Sequence, residues 1–429
     1  MAELDVLTND DRARDRVCML RPLRIRDFAL LWAGMTVSLF GDGILLVAIP
    51  WQVYELSNAP TALSVVGIAW TVPMVAFLVV GGVVSDRFDR RRVMIVSDVI
   101  RFAAVGAIGI LAVADAISLP WLLGLMAVYG VGEALFAPAF GALVPDVVPP
   151  TMLVEANSMD MFVRTLAERL AGPALGGVLI ALAGTGGAFL IDAGTFVVSA
   201  LCLLAMRARP LAAREAGTSA LADVAEGFRF VRAHTWIWGT LLAASVSLLA
   251  YYGPWEVLVP YVVKNTLDGS AADLGLVFGV GGVGALAAAV LMGHRPLPRR
   301  HMTFVYVTWA LGVGAMVAYG VATALWHAMA AAFIGGALST AGLIVWATLL
   351  QTRVPRSLLG RVTSLDWLVS IGLIPVSYAL TGPIAAAAGV SAVLVGGGII
   401  AAVTTIAFLF LPGMRDSERV PASRAPEPA

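Results

Sequence analysis

Long apolar stretches separated by short polar segments dominate this chain, and no stretch carries a regular polar stripe of the kind that lines a pore. A hydrocarbon core about 30 Å thick takes roughly 20 residues of helix, because in lipid each backbone group must find its hydrogen bond within the segment. Twelve stretches meet that length, at about residues 28–49, 60–83, 93–114, 121–143, 157–182, 187–206, 237–263, 272–293, 303–322, 326–349, 363–386 and 390–411. The fifth carries Asp160, Arg164, Glu168 and Arg169 before its apolar continuation. Residues 166–206 would still make one helix of roughly 60 Å, too long for a single crossing, so a turn is expected at Gly184 to Gly187.

Basic residues test this count independently, since Lys and Arg near span ends stay on the cytoplasmic side. Arg12, Arg14, Arg16, Arg21, Arg24 and Arg26 place the N-terminus inside. With twelve spans every other connection is inside, and these hold Arg87, Arg90 to Arg92, Arg207 to Arg232, Arg295 to Arg300, Arg353 to Arg361 and Arg415 to Arg424. The connections expected outside hold Lys264 as their one basic residue. Removing a span would move the later Arg clusters outside. The expectation is a multi-pass protein of a bacterial-type inner (plasma) membrane with both termini cytoplasmic. The polar leader has no cleavage site after a short apolar core, so a removable signal peptide is not expected.

Composition narrows the function. Of 429 residues 59% are hydrophobic and 13% charged, with a mean hydropathy of +0.89, which excludes a soluble enzyme. Twenty-eight basic residues balance twenty-eight acidic ones, so no global field attracts nucleic acid. Cys18 and Cys202 make neither a disulfide framework nor a metal site, and His234, His294, His301 and His327 are scattered. No enzyme chemistry, metal or cofactor is expected.

The longest polar connection divides six spans from six. This gives a leader at 1–26, an N-terminal bundle at 27–206, a central loop at 207–236, a C-terminal bundle at 237–411 and a disordered tail at 412–429. Within the central loop Leu221, Val224, Ala225, Phe228 and Val231 predict a short amphipathic helix lying on the inner membrane face. The halves repeat one another: Val148 to Asp160 matches Val354 to Asp366 at Val, Pro, Leu, Ser and Asp. Ser85 to Met94 likewise matches Gly293 to Met302, pairing Arg87 with Arg295 and Arg91, Arg92 with Arg299, Arg300. Repeated halves of this kind enclose a midplane site between them and rock about it.

The loop after the second span, GVVSDRFDRRRVM, resembles the signature loop of the major facilitator superfamily at Gly82, Asp86, Arg87, Arg90 and Arg91. It departs at Asp89, where that superfamily usually has Gly and where an acidic residue is common in its drug-exporter branch. Physically, Gly82 suits close helix contact, Asp86 suits a neighbouring helix N-terminus, and the arginines suit acidic groups or lipid phosphates. In the fifth span Gly172, Pro173, Gly176 and Gly177 resemble the Gly-Pro-x-x-Gly-Gly motif of the exporters, in which proline kinks the helix and the glycines let it pack. Phe40 to Gly43, Leu190 to Asp192, Glu226 to Phe228 and Gly360 to Val362 extend the likeness to residues 27–411. The chain is thus similar to the drug/proton antiporter branch, which includes macrolide efflux proteins and the enterobactin exporter. One element is missing: many such antiporters carry an Arg in the fourth span, and residues 121–143 hold no basic residue. Gly279, Gly281 and Gly284 fit Gly-x-Gly-x-x-Gly, yet with no preceding strand and no later acidic partner they read as helix packing.

Charges within the spans are the best functional candidates, because each costs at least ~2.5 to 3.5 kcal/mol near the bilayer centre without a partner, a water-filled cavity or a proton. Glu133, Glu168 and Arg169 lie at similar depth, so either acid is expected to pair with Arg169 and one to couple protons; a static buried ion pair is the alternative. Asp42 and Asp192, in the first and sixth spans, are candidates for a proton or a cationic substrate, with hydrogen bonding inside a helix interface as the alternative. Glu256 is expected at the interface, and Asp98 with Arg101 as a local pair tied to the Arg-rich loop. Trp70, Tyr251, Tyr252 and Trp346 are candidates to line an apolar cavity. The fold class expected is all-α integral membrane, twelve helices in two pseudo-symmetric six-helix halves. The resemblance implies a monomeric, proton-coupled exporter of amphipathic organic compounds working by alternating access. Its rivals are a dedicated siderophore or lipid exporter and a non-transporting membrane sensor.

Overall fold

The computed structural model describes residues 15–149, 152–207 and 220–419, and these are almost wholly helical. The leader up to residue 14, residues 208–219 of the central loop and the tail from residue 420 lie outside the described residues. The N-terminal half comprises α1 (Arg26–Leu56), α2 (Pro60–Arg87), α3 (Arg90–Val113), α4 (Leu119–Val147), α5 (residues 153–183) and α6 (residues 185–205). After α7 (Ala220–Ala233), the second half comprises α8 (Thr235–Thr266), α9 (Ala271–Gly293), α10 (His301–Gly320), α11 (Leu325–Arg353), α12 (residues 356–388) and α13 (Val390–Leu409).

Among the described residues eleven helices are long and apolar enough to cross a membrane, and one of them, Glu155–Ala205, runs for 51 residues. Gly184 breaks that run with φ 69° and ψ 174°, a left-handed geometry closed to most side chains. The run is therefore two crossings, α5 and α6, and the total is twelve, with the turn at the first of the glycines expected to form it.

The sequence repeat has a packing counterpart. Met94 and Met302, aligned in the two loops, are 1% and 0% exposed, each in the core of its own half. The glycines of Gly279 to Gly284 pack helices as expected: Gly284 lies against the Phe333 backbone and Gly281 against Ala332 of α11.

The apolar core is divided in a way that defines the overall form. One cluster draws on both halves, from Ile44 to Tyr54 in α1 through Val257 to Val263 in α8 and on to Leu394 in α13. The other two stay within single halves: one runs from Phe28 to Met206, the other from Val231 to Met414. The shared core occupies the side of the Lys264 connection, here the far side. The separate cores occupy the side of the Arg-rich loop and α7, here the basic side. The halves are joined on the far side by α5 against α9 and α2 against α12, and they part toward the basic side. Tyr54 donates to the Val257 carbonyl at 2.6 Å and Asn58 to Asn265 at 2.6 Å, closing the far side. The cleft between the halves thus opens toward the basic side.

Candidate transport site

Charged side chains from four helices meet halfway through the N-terminal half. Arg101 of α3 donates to Asp98 one turn earlier at 2.6 Å and lies 3.9 Å from Asp42 at the middle of α1. Its guanidinium is held between two rings, 4.4 Å from the centroid of Phe136 in α4 and 4.5 Å from that of Phe196 in α6. Tyr129 of α4 donates to the other Asp42 oxygen at 2.9 Å. Asp192 of α6 is fully buried; Gly41 approaches its carboxylate, and Thr195 donates to its carbonyl at 2.7 Å.

Only part of this cluster reaches the cleft. Asp98 and Arg101 are 0% and 3% exposed along their side chains, whereas Asp42 is 24% exposed. A carboxylate open to that degree at mid-membrane faces water or substrate. Glu133, half-buried, accepts from Trp70 of α2 at 2.7 Å, and Gly130 lets α4 approach the Trp70 backbone. Trp70 also meets Tyr129 edge to face, with centroids 5.9 Å apart, so the Glu133 and Asp42 arms share one wall.

Several expectations are corrected by this geometry. Arg169 pairs with neither Glu133 nor Glu168. Glu168 lies 3.1 Å from Arg164, which also lies 3.4 Å from Asp160, so one helical turn on either side supplies Arg164 with a carboxylate. Arg169 is exposed. Asp98 and Arg101 do pair, but inside the mid-membrane cluster and not with the Arg-rich loop. Trp346 is 2% exposed, packed on Trp236 and Trp309 with its Nε1 donating to Asp366 at 3.3 Å, so it belongs to the core of its half and not to a cavity wall. Tyr251, Tyr252 and Trp70 are half-buried.

The signature loop is built as a helix start. Asp89 caps α3, accepting from the Arg91 and Arg92 amides at 2.9 and 3.4 Å, which gives the acidic departure from Gly a physical reason. Arg90 pairs with Asp146, and Arg91 donates to the Met206 carbonyl at the end of α6. Arg87 is exposed, and the Asp86 side chain lies outside those described. A Cβ at Gly82 would meet nothing within 4 Å; the close contact falls to Gly81, against the Ala134 backbone, one residue round the helix. The exporter motif is a three-helix junction. Gly172 lies against Gly43 and Gly176 against Ile44 of α1, while Gly177 lies against Ala271 and Ala272 of α9. Residues 165–171, with Glu168 and Arg169, form a widened turn just before Pro173, which has no amide to donate.

The second half has a widened turn of its own, unforeseen from the sequence. The Ser377 hydroxyl of α12 inserts into α8, accepting from the Gly253 amide and donating to the Leu249 carbonyl, both at 2.7 Å. Pro254–Leu258 then continues as a wide turn that carries Glu256, half-buried, into the same central region.

Twelve crossings in two repeated halves, with charges gathered inside the first half and one of them open to the cleft, define a transporter of the major facilitator type. The chain belongs to the transmembrane secretion effector family of that superfamily, which it matches over residues 17–429. It is 28% identical over 412 residues to the multidrug efflux pump Tap of Mycolicibacterium fortuitum, covering 92% of this chain and 97% of Tap. It is 23% identical over 268 residues to macrolide efflux protein A of Streptococcus pyogenes, covering 62% of this chain and 66% of that protein. Among solved structures, an inward-facing bacterial homologue of the iron transporter ferroportin superposes with a TM-score of 0.65 at 19% identity, covering 89% and 98% of the two chains. An inward-facing, unoccupied bacterial homologue of the lysosomal transporter Spinster superposes at 0.63 and 17%, covering 92% and 96%. These likenesses carry the fold, and the chain is a multi-pass membrane protein.

Proposed function

We propose that this protein exports amphipathic organic compounds across the cytoplasmic membrane by alternating access, driven by inward proton flow, with both termini in the cytoplasm. The observation that carries the reading is the mid-membrane cluster, where Asp42 and Asp98 share the guanidinium of Arg101, Asp192 lies buried against Gly41 beside Asp42, and Asp42 opens to the cleft. Such a cluster holds excess negative charge that either a proton or a cationic group neutralises, which makes the two exchangeable. The half-buried rings of Trp70, Tyr251 and Tyr252 suit an apolar body, and the division of the core into one shared and two separate parts suits rocking of the halves. The efflux proteins among its relatives support the direction, and the Arg-rich basic side supports the orientation.

Inverted membrane vesicles with an acid interior test this reading. Adding cationic dyes, macrolides or tetracyclines to the wild type is expected to release protons, and Asp42→Asn and Glu133→Gln are expected to abolish the release at unchanged protein yield. Proton release that persists in both variants overturns the assignment of coupling to these acids. No release with any compound overturns proton-coupled export of such compounds.

A further inference from the structure

Among the described residues two opposite charges stand without an ion-pair partner where the halves face each other. Arg169 is exposed in the wide turn Thr165–Ala171, and the neighbouring Glu168 is taken by Arg164. Glu256 is half-buried in the wide turn Pro254–Leu258 of the other half with the Tyr378 hydroxyl of α12 as its hydrogen-bond partner, and no Lys or Arg lies within ion-pair distance of it among the described residues. Both turns lie against α9, whose Gly282 meets the Arg169 backbone and whose Phe278, one turn earlier, meets the Trp255 ring next to Glu256.

The backbones keep the charges apart. Gly282 of α9 packs on the Arg169 carbonyl, fixing the turn that bears it, and the Ser377 insertion fixes the turn that bears Glu256. Tyr251 and Tyr252 are half-buried about one turn before Glu256, and Trp255 stacks on Tyr251 with centroids 6.3 Å apart at 13° and lies 5.3 Å from Phe278. An exposed guanidinium within the membrane calls for water or an anion, and a carboxylate beside aromatic rings suits an organic ammonium.

We propose that Arg169 and Glu256 form a two-signed clamp for zwitterionic amphiphiles, the oxyanion of the ligand on Arg169, its charged nitrogen on Glu256 and its flat body against the Tyr251, Tyr252 and Trp255 wall. The clamp rests on the export of amphipathic compounds proposed above and adds a selectivity: a compound with both charges is preferred to one with the positive charge alone. It also gives the two wide turns a purpose, since each moves one charged side chain off the regular helical spacing and into the cleft.

A rhodamine dye with a free benzoate and its methyl ester differ in the anionic group alone, so they read the clamp directly. Binding of each is followed by fluorescence polarisation on the purified full chain in lipid nanodiscs, and transport in vesicles. The wild type is expected to bind the free acid about tenfold or more tighter than the ester, the worth of one charge-assisted contact. Arg169→Gln is expected to erase that preference while the ester still binds, which also shows the variant to be folded. Glu256→Gln is expected to weaken both dyes by a similar factor, and Arg169→Lys to keep part of the preference. A preference that survives Arg169→Gln, or an equal loss for both dyes in that variant, overturns the clamp while wild-type transport of the dyes leaves the export reading standing. Transport of neither dye by the wild type overturns the reading and the clamp together.

Discussion

Arg101 binds three helices at one point, and removing it leaves two acids inside the membrane with no cation. Asp98 at 2.6 Å would lose its partner in a site of 0% exposure, and Asp42 would lose its nearest positive charge. Breaking a buried pair in this way costs about 3–5 kcal/mol, so Arg101→Leu is expected to lower the thermal unfolding temperature of the purified protein substantially, and Arg101→Leu with Asp98→Asn to recover part of the loss. A melting temperature unchanged by Arg101→Leu would show that the cluster does not hold the half together. At this scale the sequence was only partly legible. It offered every member of the cluster as an isolated intramembrane charge, but partner choice needs the rotation of each helix about its axis. A count of residues from the span ends does not supply that rotation, so depth alone matches Arg169 to the acids at its level and does not single out Arg164, one turn from Glu168. Glu256 stands in the wide turn Pro254–Leu258, ten residues before its helix ends at Thr266, and there too a count from the span end does not give the direction of the side chain.

Helix against helix, glycine decides where the halves meet. Along α9 the close approaches recur from Gly275, 3.1 Å from Gly177 when a Cβ is placed there, through Gly279 near Leu170 to Gly282 on the Arg169 backbone. With lipid outside and little hydrophobic force between helices, such backbone contact supplies the packing that holds α5 on α9. Gly275→Val is therefore expected to part this seam on the far side while each half keeps its fold. The check is labelling of a cysteine at position 265 with a membrane-impermeant maleimide in a Cys18→Ser, Cys202→Ser background: the rate is expected to rise several-fold, and an unchanged rate would mean that the seam does not keep the far side closed. Element identity was the most legible level of all. Apolar length and Arg placement gave the twelve crossings, and even the turn in the 51-residue helix was signalled by its glycines. The wide turns were not legible, because Ser377 creates one of them from a helix more than a hundred residues away.

For the whole molecule the form of the core predicts which contacts must break. A transporter that rocks must exchange its shared far-side core for one on the basic side, and the polar contacts that now seal the far side are few. Asn58 meets Asn265 at 2.6 Å, the rings of Tyr54 and Tyr261 stand 5.5 Å apart, and Lys264 lies 4.9 Å above the ring of Trp51. Cysteines at positions 58 and 265, joined by a short bifunctional maleimide in the same cysteine-free background, are expected to hold the present form. Transport should then fall to background, because the far side cannot open, while binding of a dye presented from the basic side should persist, because the cleft already faces that way. The linked protein should recover transport when a cleavable linker is cut. Transport that continues with the link intact would show that the halves do not part at this edge. Loss of both binding and transport would show that the cleft described here is not the compartment into which the substrate enters.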